Sequence, residues 1–370
     1  MNIILWPTYY LPNIGGLEVM THNLALALKA KGHNVLVIAN HVGSLEVNEF
    51  VIDGIKVIEL PFKEALIYQK LLLIKNIFVK LNHIFDEFKP DVVNVHGWFE
   101  IFCFYQTRML EKRKIAVCIT IHGLIEQGHY QTQACLKLWS MAGCVCTVSD
   151  ALIPSLAEYG FIDQKCRTVY NGLPIPQSAP LPLSVAPPRL LMVGRLTEEK
   201  CFGIAFEAVH LLREKYPALK LTLVGGGVEY ETLWQLKTSL GLHDAIEMVG
   251  SVHPSEVEAY IDAASVILVP SRYESFCLVA LQAALRGRPV IASEVYGLKE
   301  VVAHEKTGLL IPPQDVALWA AAIDSLLSAP HCMQAMGEAA YQRAIDLFSI
   351  ETTVTQYVSM YQEALEQTHG

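Results

Sequence analysis

The stretch Ser265-Val266-Ile267-Leu268-Val269-Pro270-Ser271-Arg272-Tyr273-Glu274-Ser275-Phe276-Cys277-Leu278-Val279-Ala280-Leu281-Gln282-Ala283-Ala284-Leu285-Arg286-Gly287-Arg288-Pro289-Val290-Ile291-Ala292 decides how the rest of the chain is read. Ser265–Val269 is a short apolar run of the kind that forms a buried strand. Beyond Glu274, Leu278, Leu281 and Leu285 recur at i, i+3 and i+7 and predict a helix with one apolar stripe. Ala280, Ala283 and Ala284 add a small-residue surface that can lie close to a sheet. Gly287 ends that helix, and Pro289–Ala292 opens the next strand. The pattern puts Glu274 and Ser275 where the strand ends and the helix begins, with Phe276, Cys277 and Leu278 following. Free backbone N–H groups and the positive end of a helix dipole favour an anion there. A carboxylate belongs beside an anion site only if it has hydroxyls to bind. A sugar phosphate or sugar nucleotide offers both.

A similar strand–loop–helix unit lies upstream. Arg189–Val193 reads as a strand, Gly194 permits a sharp exit, and a helix starts at about Gly203. Between them Arg195 offers a planar fork for phosphate oxygens and Lys200 a mobile point charge. The chain carries a formal net charge of −9, so two cations at one strand end suggest a local anion site. Ion pairs with Glu198 and Glu199 are the alternative use. Leu221–Val224 is a further strand, followed by Gly225-Gly226-Gly227, which suits close approach to a ligand or a plain tight turn.

The amino-terminal half opens as a nucleotide-binding fold does. Asn2–Trp6 reads as a strand and Pro7–Gly16 as a loop. A helix then covers about 17–30 with Val19, Leu24, Ala27 and Leu28 inward. Gly32 stops it, and Val35–Ala39 is the second strand. Gly15-Gly16 is not G-x-G-x-x-G, which argues against a dinucleotide oxidoreductase. After a strand at Ile55–Leu60, the segment Lys63–Lys89 predicts a long helix with Ile74, Ile77, Phe78, Leu81, Ile84 and Phe88 on one face. Lys70, Lys75 and Lys80 turn by about 140° from one to the next and form no single stripe. Leu72 and Val79 share the polar side, so either a weak membrane contact or an ordinary sheet-packing helix fits. Asp91–Val95 and Ile115–Ile121 are strands that end at His96 and His122. Ligand crevices of doubly wound sheets lie at such carboxyl ends. Cys144–Val148 is another strand, Asp150 a candidate helix cap, and Asn171-Gly172 a turn. Residues 173–188 carry six prolines and read as a linker between domains at 1–172 and 189–349.

Several of these segments resemble the motifs of glycosyltransferase family 4, retaining enzymes of the GT-B fold. Glu274 to Gln282 resembles E-x7-E, with Gln282 in place of the second Glu. Thr120-Ile121-His122-Gly123 resembles T-x-H-[GD]. Gly194 to Cys201 resembles G-R-x4-K-G, with Cys201 where the family usually has Gly. Gly225–Gly227 corresponds to a G-x-G, and Gly15-Gly16 to a glycine pair beside the donor diphosphate. Gly297–Val302 and Thr307–Pro313 match late segments. The resemblance implies an α/β protein of two Rossmann-like domains facing each other across a cleft, acceptor side first and donor side second. A last helix at about 350–370 would cross back to the first domain.

The resemblance also implies roles. Glu274 would hold donor sugar hydroxyls, and His122 would lie near the transferred sugar towards its C6 side. Arg195 and Lys200 would bind the diphosphate, together with the backbone at Gly15, Gly16, Gly225, Gly227, Ser275, Phe276, Cys277 and Leu278. Val252 would border the nucleobase and Gln282 the ribose; His96 is a candidate for the acceptor side. The expected reaction moves a hexosyl group from a UDP- or GDP-sugar to an acceptor hydroxyl, with retention and with no metal or other cofactor. A glycan or lipid-linked acceptor of cell-surface polysaccharide or glycolipid synthesis is expected. Two alternatives stand beside it. One is another GT-B enzyme, such as an epimerase or phosphorylase. The other is a sugar-nucleotide-binding protein without catalysis, suggested by Gln282 and Cys201.

Composition bounds these readings. With 370 residues and 52% hydrophobic content, the chain can build two ordinary cores. The negative charge argues against nucleic acid as a partner. Nine cysteines lack zinc-ribbon spacing and read as reduced, buried hydrophobes, Cys144 and Cys146 among them. Met1–Pro7 lacks a basic leader pattern, and no run of 18 apolar residues occurs. The expectation is a soluble cytoplasmic protein, at most peripheral at the inner face of a membrane.

Overall fold

The computed structural model describes residues 1–97, 100–123, 133–158 and 166–369. The chain forms two compact units, Met1–Pro174 with Ile350–Gly370, and Ile175–Ser349.

The first unit is built on β1 (Asn2–Pro7), β2 (Asn34–Asn40), β3 (Asn48–Ile52), β4 (Ile55–Leu60), β5 (Val92–His96), β6 (Ala116–Ile121), β7 (Cys144–Thr147) and β8 (Cys166–Thr168). They lie in the order β3-β4-β2-β1-β5-β6-β7-β8, every pairing parallel except β3 with β4. β5 and β6 are buried along their whole length, as unbroken apolar strands covered on both faces must be. Helices α1 (Gly16–Ala30), α2 (Phe62–Ile67), α3 (Leu71–Phe88), α4 (Glu100–Leu110), α5 (Gln133–Met141) and α6 (Leu152–Glu158) connect the strands.

The long helix expected within 63–89 is α3, and a short helix, α2, precedes it, the two separated at Gln69, whose φ of 49° is left-handed and cannot continue an α-helix. α3 then buries Ile77, Leu81, Ile84 and Phe85. In α1, Leu24 and Leu28 are buried as expected, but Met20, Thr21, His22 and Ala25 join them, while Val19 and Ala27 stay half-buried.

The second unit carries β9 (Arg189–Val193), β10 (Lys220–Val224), β11 (Ile246–Gly250), β12 (Val266–Val269), β13 (Val290–Ser293) and β14 (Gly308–Ile311) in the all-parallel order β11-β10-β9-β12-β13-β14. Its helices are α7 (Phe202–Leu212), α8 (Tyr230–Ser239), α9 (Pro254–Ala263), α10 (Leu278–Leu285), α11 (Leu298–Val301), α12 (Val316–Leu327) and α13 (Pro330–Phe348). The chain therefore runs outward from β9 in one direction and from β12 in the other. That reversal is the topological switch point, where open α/β sheets bind ligands beyond their carboxyl ends. The first unit has its own reversal between β1 and β5.

The proline-rich segment is strapped to the second unit. Leu181 O accepts from Arg288 Nη1 at 2.8 Å, and Ser265 Oγ donates to Ser184 O at 2.5 Å. The last helix, α14 (Ile350–His369), belongs to the first unit and packs on α1, β6 and β7. There the Tyr361 hydroxyl accepts from Asn94 Nδ2 at 2.8 Å, while Asn94 Oδ1 accepts from Thr120 Oγ1 at 3.1 Å.

Candidate functional site

In the second unit, three strand-end loops are laced together. Gly194 N–H donates to Val224 O at 3.0 Å, Leu196 N–H to Gly226 O at 2.9 Å, and Gly225 N–H to Gly250 O at 2.8 Å. Gly225 has a φ of +141°, and a Cβ there would sit 1.8 Å from Gly194 O. The close approach that Gly225 and Gly227 permit is thus made to the loop after β9, since a Cβ on Gly227 would lie 2.4 Å from Leu196 O. Val252 follows β11, half-buried, just beyond the Gly250 contact.

This lacing fixes a 3-10 turn at Glu198–Lys200 over the switch point. Lys200 Nζ reaches Glu274 Oε1 at 2.6 Å, and the same oxygen accepts from Ser271 Oγ at 2.9 Å. The two side chains are 24% and 13% exposed, so solvent screens this pair only partly. Burial pushes the Lys200 ammonium down, but the Glu274 carboxylate outweighs it and holds the ammonium above its ordinary value. Lys200 is charged at neutral pH and faces a site that already contains a carboxylate. Arg195 is exposed on the same loop.

The run after Glu274 departs from expectation. Glu274 and Ser275 do not open the helix; α10 begins at Leu278. Cys277, with φ 77°, cannot belong to a right-handed first turn. Gly297 seats the intervening loop by donating its N–H to Glu274 O at 3.1 Å, and a Cβ there would meet Ser275 O at 2.0 Å. The Phe276 side chain turns into the core against Phe348, ring centroids 5.4 Å apart, so only its backbone is left for a ligand. Burial, reinforced by the Glu274 charge, pushes the Cys277 thiol up to about 12, which removes it as a nucleophile at neutral pH. Leu278 is half-buried, as is Gln282 in the second turn of α10.

Arg272 escaped the sequence reading. Its N–H donates to Glu199 O at 2.7 Å and its guanidinium lies 3.4 Å from Glu198 Oε1, tying the loop after β12 to the turn that carries Lys200. Only the fold brings residues so far apart in sequence together, so no local pattern could have shown it.

In the first unit, His96 Nδ1 lies 3.0 Å from His122 Nε2. β5 and β6 are neighbours with His96 opposite Thr120, which sets the two rings side by side. His96 is 1% exposed and also stacks on Tyr357, so it backs His122 and does not face an acceptor. Burial holds His96 well below the usual histidine range and His122 down at about 4. Both are neutral at pH 7, and His122 acts there as a hydrogen-bonding group. Gly15 caps α1 with extended backbone, and a Cβ on it would meet Glu18 Oε2 at 2.4 Å, the end of a flexible side chain.

The histidines make a pH prediction. A group whose folded pKa is depressed contributes stability present above its unfolded value, about 6.5, and lost as pH falls through the folded value. Between pH 7 and pH 4.5 the parent should lose on the order of 2 kcal/mol more than a His122→Gln variant. Urea melts at the two pH values measure this, and equal losses in both proteins would remove the burial argument.

Among the described residues, no group of three or more His, Cys, Asp or Glu is arranged to hold a metal ion. No single described helix is long and apolar enough to cross a membrane.

Comparison with known proteins divides along the same boundary. Residues 14–175 match the model for Glycosyltransferase Family 4, and residues 177–343 that for Glycosyl transferases group 1. A Mycobacterium tuberculosis glycogen synthase is 29% identical over 98% of this chain and 94% of its own. A D-inositol 3-phosphate glycosyltransferase of Corynebacterium urealyticum is 37% identical over 46% of this chain and 41% of its own. Among solved structures, sucrose-phosphate synthase from Thermosynechococcus elongatus superposes with a TM-score of 0.81 at 23% identity, covering 99% of both chains. Anabaena HepE in complex with UDP and glucose superposes with a TM-score of 0.80 at 19% identity, covering 98% of this chain and 99% of that one.

Proposed function

We propose that this chain, which belongs to the group 1, family 4 glycosyltransferases and has their GT-B fold, moves a hexosyl group from a UDP- or GDP-sugar to an acceptor hydroxyl. The observation that carries this is the Lys200–Glu274 pair at the switch point of the second unit. It supplies a cation for a diphosphate and a carboxylate for sugar hydroxyls. Lys200, Arg195 and loop backbone N–H groups take the leaving nucleoside diphosphate, so charge stabilisation there does not require a divalent ion. Val252 borders the base. Gly15-Gly16 contributes backbone to the diphosphate, and His122 hydrogen-bonds the transferred sugar. The anomeric carbon loses its bond to the phosphate oxygen and gains one to the acceptor oxygen on the same face. The acceptor proton passes to the departing phosphate. Incubation with a panel of nucleotide-sugars and glycan acceptors, in excess chelator, should yield a glycoside of retained configuration. Turnover that needs added magnesium or manganese, or sugar release without transfer, would contradict the proposal.

Gln282 tunes the donor site in this reading. It keeps a carbonyl oxygen for ribose hydroxyls but lacks the charge of a carboxylate. Hydrogen bonds to charged groups contribute about 1.5–3 kcal/mol against about 0.5–1.5 for neutral ones. Gln282→Glu is therefore expected to tighten nucleoside diphosphate binding several-fold, on the order of 1 kcal/mol. No gain in a calorimetric titration would sink the ribose assignment.

The acceptor belongs to the first unit, and an anionic membrane surface is the setting its exterior favours. Ile67, Tyr68, Leu71, Leu72 and Val79 are all more than half exposed around the break between α2 and α3. Lys70 and Lys75 are exposed among them, and residues 65–85 contain no Asp or Glu. Apolar side chains beside unopposed lysines suit insertion among anionic headgroups. Phosphatidylglycerol vesicles should sediment the protein, and Leu71→Gln/Leu72→Gln should release it. Equal recovery with phosphatidylcholine vesicles and with none, matched by phosphatidylglycerol, would exclude the contact.

A further inference from the structure

Away from the residues assigned above, Tyr10, His22 and Asp53 form a hydrogen-bonded chain across three separate parts of the first unit. Tyr10, fully buried in the loop after β1, places its hydroxyl 2.7 Å from His22 Nδ1 on α1. His22 Nε2 lies 2.9 Å from Asp53 Oδ2, in the turn between β3 and β4. An ionised carboxylate can only accept, so Nε2 carries a proton, and in the neutral imidazole Nδ1 then accepts from the phenol. Burial, with the Asp53 charge added, holds the Tyr10 hydroxyl above its ordinary range, so it stays a donor.

The two ends of this chain are fixed. Asp53 and Gly54 have positive φ of 50° and 74°, a tight reversal, and Lys29 Nζ donates to Gly54 O at 2.7 Å. α1 therefore grips the turn twice. At the other end, Tyr10 O accepts from both Asn13 N–H at 3.0 Å and Asn13 Nδ2 at 3.1 Å. Tyr10 thus anchors the bend that leads the chain into Gly15-Gly16. Met20, Leu24 and Leu28 share one face of α1, whereas His22 lies on nearly the opposite side, buried against the Tyr10 ring at 5.7 Å between centroids. A histidine bridging a phenol and a carboxylate ties α1 to the loop after β1 and to the turn between β3 and β4, which packing alone does not require.

We propose that His22 is a positioning residue, using Asp53 to orient its ring and Tyr10 to hold the 8–15 loop so that the Gly15-Gly16 backbone is preset for the donor diphosphate. This rests on the donor role proposed above for Gly15-Gly16. Tyr10→Phe deletes only the hydroxyl and keeps the ring in place; His22→Leu removes the bridge. Both are expected to raise the dissociation constant for UDP or GDP, and the donor KM, by 3- to 10-fold. Turnover at saturating donor should fall less than that, and the acceptor KM should not follow. The double variant should resemble either single one, and Asp53→Asn, which can still accept from Nε2, should stay nearer the parent than Asp53→Ala. Amide hydrogen exchange at residues 8–16, read without ligand, should quicken in Tyr10→Phe. Unchanged exchange there overturns the proposal whatever the nucleotide does. Unchanged donor KM in Tyr10→Phe, or donor and acceptor KM rising together with a lower melting temperature, also overturns it. If the parent takes neither UDP nor GDP, the donor reading has failed, and the exchange experiment still decides whether the relay holds the loop.

Discussion

Glu274→Ala is expected to lower turnover by about 10²–10³-fold, the loss typical of removing one preorganised group at a reacting centre. Affinity for free nucleoside diphosphate should not fall with it. Lys200 Nζ pairs with Glu274 Oε1 at 2.6 Å, with Ser271 completing the contact. Deleting the carboxylate leaves the ammonium partly buried and unpaired, a situation that destabilises the free protein. A bound diphosphate supplies the missing counter-charge, so the variant should gain more thermal stability from the nucleotide than the parent does. The combination is diagnostic. A role confined to folding would lower stability and affinity together, whereas a role at the sugar lowers turnover and spares the nucleotide. Stopped-assay turnover and a thermal-shift titration measure both halves, and near-parental turnover would displace the active site from this loop.

The largest effect on stability is expected at Arg288. Its side chain is 1% exposed and is held entirely by main-chain carbonyls. Nη1 donates to Leu181 O at 2.8 Å and Arg286 O at 2.9 Å, Nη2 to Asp262 O at 2.7 Å, and Nε to Ile261 O at 3.3 Å. Beside it the Arg286 Nε donates to Asp262 Oδ1 at 2.7 Å. Arg288 so fastens the proline-rich strap, the end of α9 and the entry to β13 to one another. Replacing it by Ala takes this donor from the Leu181, Arg286 and Asp262 carbonyls and leaves a cavity, for about 3–5 kcal/mol of destabilisation. The melting transition of the second unit should fall by roughly 10 °C. Arg288→Lys should recover only part, because one ammonium cannot span a fork of four acceptors. A shift of 2 °C or less in the Ala variant, on the same scale of stability change, would contradict this account of the strap.

Arg288 also shows where the sequence stopped being informative. It stands in the stretch that decides the fold, three residues after the end of α10, and looks there like another surface cation. Nothing local tells that Leu181, more than a hundred positions upstream, lies against it. The strands, by contrast, were legible, because a parallel strand buried on both faces is an unbroken apolar run whatever surrounds it. β3 was not read, since its alternating half-buried edge pattern hardly differs from a polar loop, and β8, β11 and β14, short or largely half-buried, were not read as strands either. The helix break at Gln69 was not legible either, because no glycine or proline marks it. Lys200 and Glu274 were each found by motif, yet their pairing is a product of the β9–β12 adjacency. His96 and His122 are both strand-end histidines, and only the resemblance of Thr120–Gly123 to a family motif set His122 apart in the sequence. Burial separates them, and burial depends on Tyr357 from the far end of the chain. His22 was hidden because periodicity places it opposite the apolar face of Val19, Leu24, Ala27 and Leu28, where a polar residue reads as solvated, yet it is buried.

The central claim is that Lys200, poised on Glu274 at the switch point of the second unit, receives the diphosphate of the donor. Calorimetric titration of the parent, Lys200→Ala and Glu274→Ala with UDP and GDP tests it most directly. The account predicts that Lys200→Ala weakens nucleotide binding by roughly 1.5–3 kcal/mol, the range for a charge-assisted bond, while Glu274→Ala binds at least as tightly as the parent. Equal affinity in parent and Lys200→Ala, or a parallel loss in both variants, would contradict it.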